Sequence, residues 1–124
     1  MENFYRLQRK RLNILMDGDE PVGGRWNFDN ENRESLPSEN HKFPKYLVHE
    51  MDNLDLEVIE QLANSNLDLW GDKPDSTWAT TRSGALMQLR HFLTENFANF
   101  GPFEDAMTTK NWAVHHSLLS PYLN

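Results

Sequence analysis

From Asp17 to Asn40 the chain carries few aliphatic side chains, and Pro37 and Pro44 block regular helix through the segment that follows. Folding is driven by apolar area removed from water, so this stretch cannot build a core of its own. We read 30–45 as a long surface connector. Connectors of that length are uncommon inside a compact domain, which points to a linker between larger parts. Apolar residues concentrate instead between Ala85 and Phe103. The whole chain of 124 residues is 38% hydrophobic, below the roughly 45–50% of a typical globular domain. The pattern predicts a mainly α chain, helices joined by polar connectors, without a self-sufficient core.

The net charge is −7, which argues against holding a nucleic-acid backbone by charge alone. Arg6, Arg9, Lys10 and Arg11 form a local basic cluster, read here as a solvated helix face. The absence of Cys removes disulfides, thiolate metal sites and thiol nucleophiles, and fits a cytoplasmic protein. No apolar run approaches the roughly 18 residues of a membrane span, so no membrane partner is expected. Met1-Glu2-Asn3-Phe4 does not open like a signal peptide.

Phe4, Leu7, Ile14 and Leu15 share a helical stripe, predicting a helix over about Glu2 to Met16, with Arg6, Arg9 and Lys10 outward and Asp17-Gly18-Asp19 as its stop. Trp26 and Phe28 sit two apart, as in an extended segment that shows both rings to one surface. Leu54, Val58, Ile59 and Leu62 predict a short helix starting near Asp52 or Asn53. A longer helix capped by Thr80 or Thr81 is expected to carry Leu86, Leu89, Phe92, Leu93, Phe97 and Phe100 on one stripe, stopped by Gly101-Pro102. A further turn is expected at 105–109. A new helix is expected to open at Ser117, with Pro121 tolerated in its first turn. No strand is predicted.

That last segment has the clearest chemistry. Two serines three apart, Ser117 and Ser120, flank Leu118-Leu119. At a helix start their hydroxyls and the free N–H groups suit a phosphate, although serine in that position is most often just a cap. The other candidates weigh less. His115-His116 are adjacent and lack a carboxylate to complete a metal site. Asp17, Asp19 and Glu20 lack calcium-loop spacing. The four tryptophans are read as packing residues. No Ser-His-Asp set and no Gly-rich nucleotide fingerprint can be argued.

His116-Ser117-Leu118-Leu119-Ser120-Pro121-Tyr122-Leu123 resembles the Thr-Ser-x-Leu-Ser-Pro-Tyr-Leu signature of the photolyase and cryptochrome flavoproteins, with His116 in place of the usual Thr. Gly23-Gly24-Arg25-Trp26-Asn27-Phe28-Asp29-Asn30-Glu31-Asn32-Arg33 is similar to the interdomain segment of the deoxyribodipyrimidine photolyase-related proteins, the iron–sulfur bacterial branch. Thr81-Arg82, Ala85-Leu86 and Phe100-Gly101-Pro102-Phe103-Glu104-Asp105-Ala106-Met107 resemble the start of that branch's FAD domain.

The resemblance implies a fragment: 1–45 as interdomain helix and connector, and 46–124 as the incomplete start of an all-helical FAD-binding domain. The α/β antenna domain would be absent, and the ligands of the iron–sulfur cluster and antenna chromophore would lie elsewhere. It implies that His116, Ser117, Leu118, Leu119 and Ser120 touch FAD. The intact relative would be a blue-light-driven lyase acting on UV-damaged DNA, the fragment alone inactive, its partner the rest of the polypeptide. Phe103 stands near the place of a flavin-contacting Tyr, without the hydroxyl. A cryptochrome photoreceptor shares the signature and is the alternative. A truncated, non-catalytic helical interaction module is another.

Overall fold

A computed structural model describes residues 2–37 and 41–123; residues 38–40 of the expected connector fall outside it. The chain is mainly helical. Helix α1 spans Glu2–Leu12, four residues short of the expected stop. Asn13 takes φ +51, the left-handed conformation that Asn tolerates better than most residues. The Asn13 N–H then donates to the Lys10 carbonyl and that of Ile14 to the Arg9 carbonyl, which closes the helix end in a Schellman pattern. Beyond it lies a hairpin the sequence did not predict. Strands β1 (Met16–Asp17) and β2 (Glu20–Pro21) pair antiparallel, Met16 opposite Pro21. Gly18 at φ +58 makes the turn.

The expected orientation of α1 is reversed. Phe4, Leu7, Ile14 and Leu15 are exposed, while Arg9 is buried at 7% exposure. Its guanidinium donates to the Tyr5 hydroxyl (2.8 Å) and to the carbonyls of Ile14 (3.2 Å), Leu15 and Trp26 (3.4 Å). Carbonyls freed where the helix ends need donors, and a five-donor fork meets several at once. Arg6, Arg9 and Lys10 all lie over the Trp26 ring, at 5.4, 5.5 and 5.5 Å. Arg9 therefore leaves the expected solvated face to hold the Trp26 segment, while Lys10 and Arg11 remain exposed as expected. Phe28 turns to a different partner, Arg25, at 4.3 Å.

The connector makes one short 3-10 turn, Asp29–Glu31. It then runs without regular structure against the turn after the last helix. The Glu34 N–H donates to the Pro102 carbonyl (3.0 Å) and that of Asp105 to the Asn32 carbonyl (3.3 Å). Arg33 pairs with Asp105 at 3.3 Å. Helix α2, Asn53–Ala63, starts where expected. Asp52 accepts from the N–H groups of Leu54 (2.8 Å) and Asp55 (3.0 Å), and Asp55 accepts in return from the Asp52 N–H (2.9 Å). None of its residues is buried.

Thr81 caps α3, Arg82–His91, accepting from the Gly84 N–H at 3.1 Å. The helix then widens into a π turn, Phe92–Asn96, where the Phe97 N–H reaches the Phe92 carbonyl, before α4, Phe97–Phe100. The buried row is Gly84, Gln88, Phe92 and Asn96, at steps of four. Leu86, Leu89, Leu93 and Phe97 of the predicted stripe are exposed. The tryptophans bury less than expected: Trp70 is fully exposed, and Trp112 lies in the open against Tyr46. The buried apolar residues are Phe92, Phe103, Ala113 and Val114. Residues 105–109 do not form a helical turn.

Candidate functional site

The candidate segment is set up by the loop before it. The Asn111 side-chain oxygen accepts from the N–H groups of Ala113 (3.1 Å) and Val114 (2.7 Å), a local Asn turn. Val114 is forced to φ +50. For a β-branched residue that is a strained conformation, tolerated only where surroundings hold it. Here Ala113, Val114 and His115 are all buried.

His115, 2% exposed, is not the ordinary polar histidine that its sequence position suggested. Its Nε2 lies 2.8 Å from that of His41 on the connector, one ring donating and the other accepting. Phe103 stacks on it at 5.8 Å, and Phe43 lies 5.9 Å away. Burial, followed by the nearby His41 and His116, holds the His115 pKa below its usual 6.5. Phe103 is thus taken up by an internal aromatic cluster.

The helix expected at Ser117 does not form. Leu118 takes φ +54, which breaks helical progression, and only a 3-10 turn, Ser120–Tyr122, follows. Pro121 sits near its start, as expected. The Tyr122 hydroxyl accepts from the Ala79 N–H at 2.8 Å, which ties this turn to the approach to α3. His116, Ser117, Leu118 and Leu119 are half-buried, and Ser120 is exposed. The His116 ring meets Phe100 edge-on at 5.9 Å.

Two polar side chains that sequence reasoning passed over hold this segment from α3 and the π turn. Gln88, 5% exposed, donates from Nε2 to the Ser117 carbonyl at 3.1 Å. Asn96, 7% exposed, donates from Nδ2 to the His116 carbonyl at 3.2 Å. Eight residues of α-helix would leave them roughly 80° apart around the axis. A π turn takes up about one residue more than an α turn, which brings the two side chains within roughly 20° of one direction. The available signal was their shared row with Gly84 and Phe92 at steps of four.

The donor set suits an anionic oxygen. Ser117 and Ser120 offer hydroxyls. Leu118 in the left-handed region, followed by Leu119 at φ −95 and ψ −14, turns successive N–H groups toward one side, the arrangement that forms anion-binding concavities. The Ser117 hydroxyl oxygen accepts from the Leu119 N–H at 3.4 Å and keeps its own proton free to donate. Among the described residues, no three His, Asp or Glu side chains come together as metal ligands. No described helix is long and apolar enough to cross a membrane.

Fold and site together define a mainly helical chain that presents a serine-bearing turn suited to phosphate. A family comparison sharpens this: residues 1–78 match the deoxyribodipyrimidine photo-lyase-related protein family, and the chain belongs to it. Over all 124 residues it is 40% identical to a (6-4) photolyase of Agrobacterium fabrum, spanning 24% of that protein's length. A 36-residue stretch, 29% of the chain, is 44% identical to 18% of uncharacterized protein R852 of Acanthamoeba polyphaga mimivirus. The chain thus covers about a quarter of the longer match and less of the other.

Proposed function

We propose that this chain forms the connector and the first part of the FAD-binding domain of a photolyase that acts on UV-damaged DNA, with 1–45 as the interdomain part and 46–124 within the flavin domain. The serine-bearing turn carries the reading. Ser117 and Ser120 donate hydroxyl protons to the cofactor phosphates, the N–H groups of Leu118 and Leu119 line the same turn, and His116 flanks it. These residues would hold the phosphates of FAD, which would supply the light-driven electron transfer used on the DNA photoproduct. The residues here bind and orient. Similarity to a protein named (6-4) photolyase favours repair over signalling.

The test is FAD titrated into the intact polypeptide that carries this chain and followed by flavin fluorescence. Ser117→Ala and Ser120→Ala are each expected to weaken binding about tenfold or more, the typical worth of a hydrogen bond to a charged group. Undiminished binding by both variants would sink the assignment.

A further inference from the structure

We infer that Gln88 and Asn96 are positioning residues for the flavin-binding turn, and that the π turn between them exists to aim both at it. The inference rests on the reading of that turn given above. The turn's backbone is unfavourable on its own. Val114 and Leu118 both hold positive φ, at +50 and +54, and neither is a glycine. Left-handed conformations of this kind are unfavourable for residues other than glycine and persist only where neighbours over-determine them. Gln88 and Asn96 are those neighbours. Each grips a carbonyl between the two strained residues, at Ser117 and His116 respectively.

Both grips come from side chains that have left water almost completely, so an unmade bond would leave a buried amide unsatisfied. A regular α-helix could not deliver both. The residue absorbed by the π turn at 92–96 is what swings Asn96 into line with Gln88. π turns carry poorer hydrogen bonding and concentrate at functional positions. Here the position is served indirectly: neither amide is on the turn, and both hold the carbonyls at its start.

Gln88→Glu and Asn96→Asp test this, because a carboxylate has the same shape but cannot donate. Protonated, it can. In NMR spectra of the whole chain, the 13C carbonyl signals of Ser117 (Gln88→Glu) and His116 (Asn96→Asp) should be displaced at about pH 7.5 and return toward wild type by about pH 5, as a carboxyl in this setting takes up its proton. Lys45 and His91 line the same small space, and His115 and His116 lie beside it, so wild type is recorded over the same pH range and subtracted. Unchanged signals from the hairpin at 16–21 show that each variant is folded. FAD titrated into the intact polypeptide carrying the same substitutions should bind the variants roughly tenfold or more weakly at the higher pH and regain affinity at the lower. Carbonyl signals that stay at wild-type positions throughout would overturn the inference. So would wild-type FAD affinity in a variant whose signals have moved. If the intact wild-type polypeptide binds no FAD, the flavin assignment fails, and the carbonyl signals still decide the positioning.

Discussion

Arg9 shows how one side chain can take the place of a core. Its guanidinium closes the end of α1, reaches the Trp26 carbonyl, and stacks on Trp26 and Tyr5. Arg9→Met keeps the stem and removes every donor. It should destabilise the chain by about 2–3 kcal/mol, because carbonyls it satisfied lose their partner where water reaches poorly. Arg9→Lys should recover only a small part, since a single ammonium cannot fork to several carbonyls. Urea denaturation of the three proteins measures this; equal midpoints would show that the contacts carry no stability. The sequence placed Arg9 on an outward face because charge in a helix usually means solvent. What it could not show was that Asn13 ends the helix early and leaves carbonyls for Arg9 to collect.

At the scale of elements, α2 and α3 differ in what holds them. Helix α2 has no buried residue, so its capping box contributes a large share of its stability. Asp52→Ala should cost about 1 kcal/mol locally. Amide exchange across 53–63 should quicken while that of 82–91 stays as it was; uniform quickening would mean that the two helices unfold together. Asp52→Asn, a good cap itself, should behave like wild type. Both helices were legible in the sequence, including the caps at Asp52 and Thr81. The inner face of α3 was not. Its leucine stripe obeys the helical period, yet the face packed within the chain is the row of Gly84, Gln88, Phe92 and Asn96. Counting apolar residues cannot find a face whose partner is a set of backbone carbonyls.

Across the whole molecule, distant segments meet through both polar and aromatic contacts. The connector is tied to the candidate turn by the pair His41 and His115, 74 positions apart. That pair makes the tie sensitive to acid. The His115 pKa is depressed in the folded chain, so between that value and the unfolded 6.5 the unfolded state binds more protons. Its contribution is fully present above about pH 7 and is lost as pH falls through 6.5 toward the folded value. Denaturation midpoints from about pH 7.5 down to about 5 should fall accordingly, and His115→Phe should flatten the profile. A profile as steep in His115→Phe as in wild type would assign the effect to other groups. The sequence identified the serines and histidines as candidates but could not bring His41 to His115, since nothing local records a contact across that separation. Exposed apolar walls remain, notably a groove of about 970 Å³ lined by Phe4, Tyr5, Phe28, Phe97 and Phe100.

The π turn has one more consequence, which concerns inheritance. Losing the codon of Leu93, Thr94 or Glu95 would let the π turn close to an ordinary α turn. Gln88 and Asn96 would then stand seven residues apart in regular helix, still within roughly 20° of one direction, and the rest of the helix would keep its phase. A lineage could therefore shed this one residue and keep its hold on the turn at 116–120, the helix changing in length while its phase is kept.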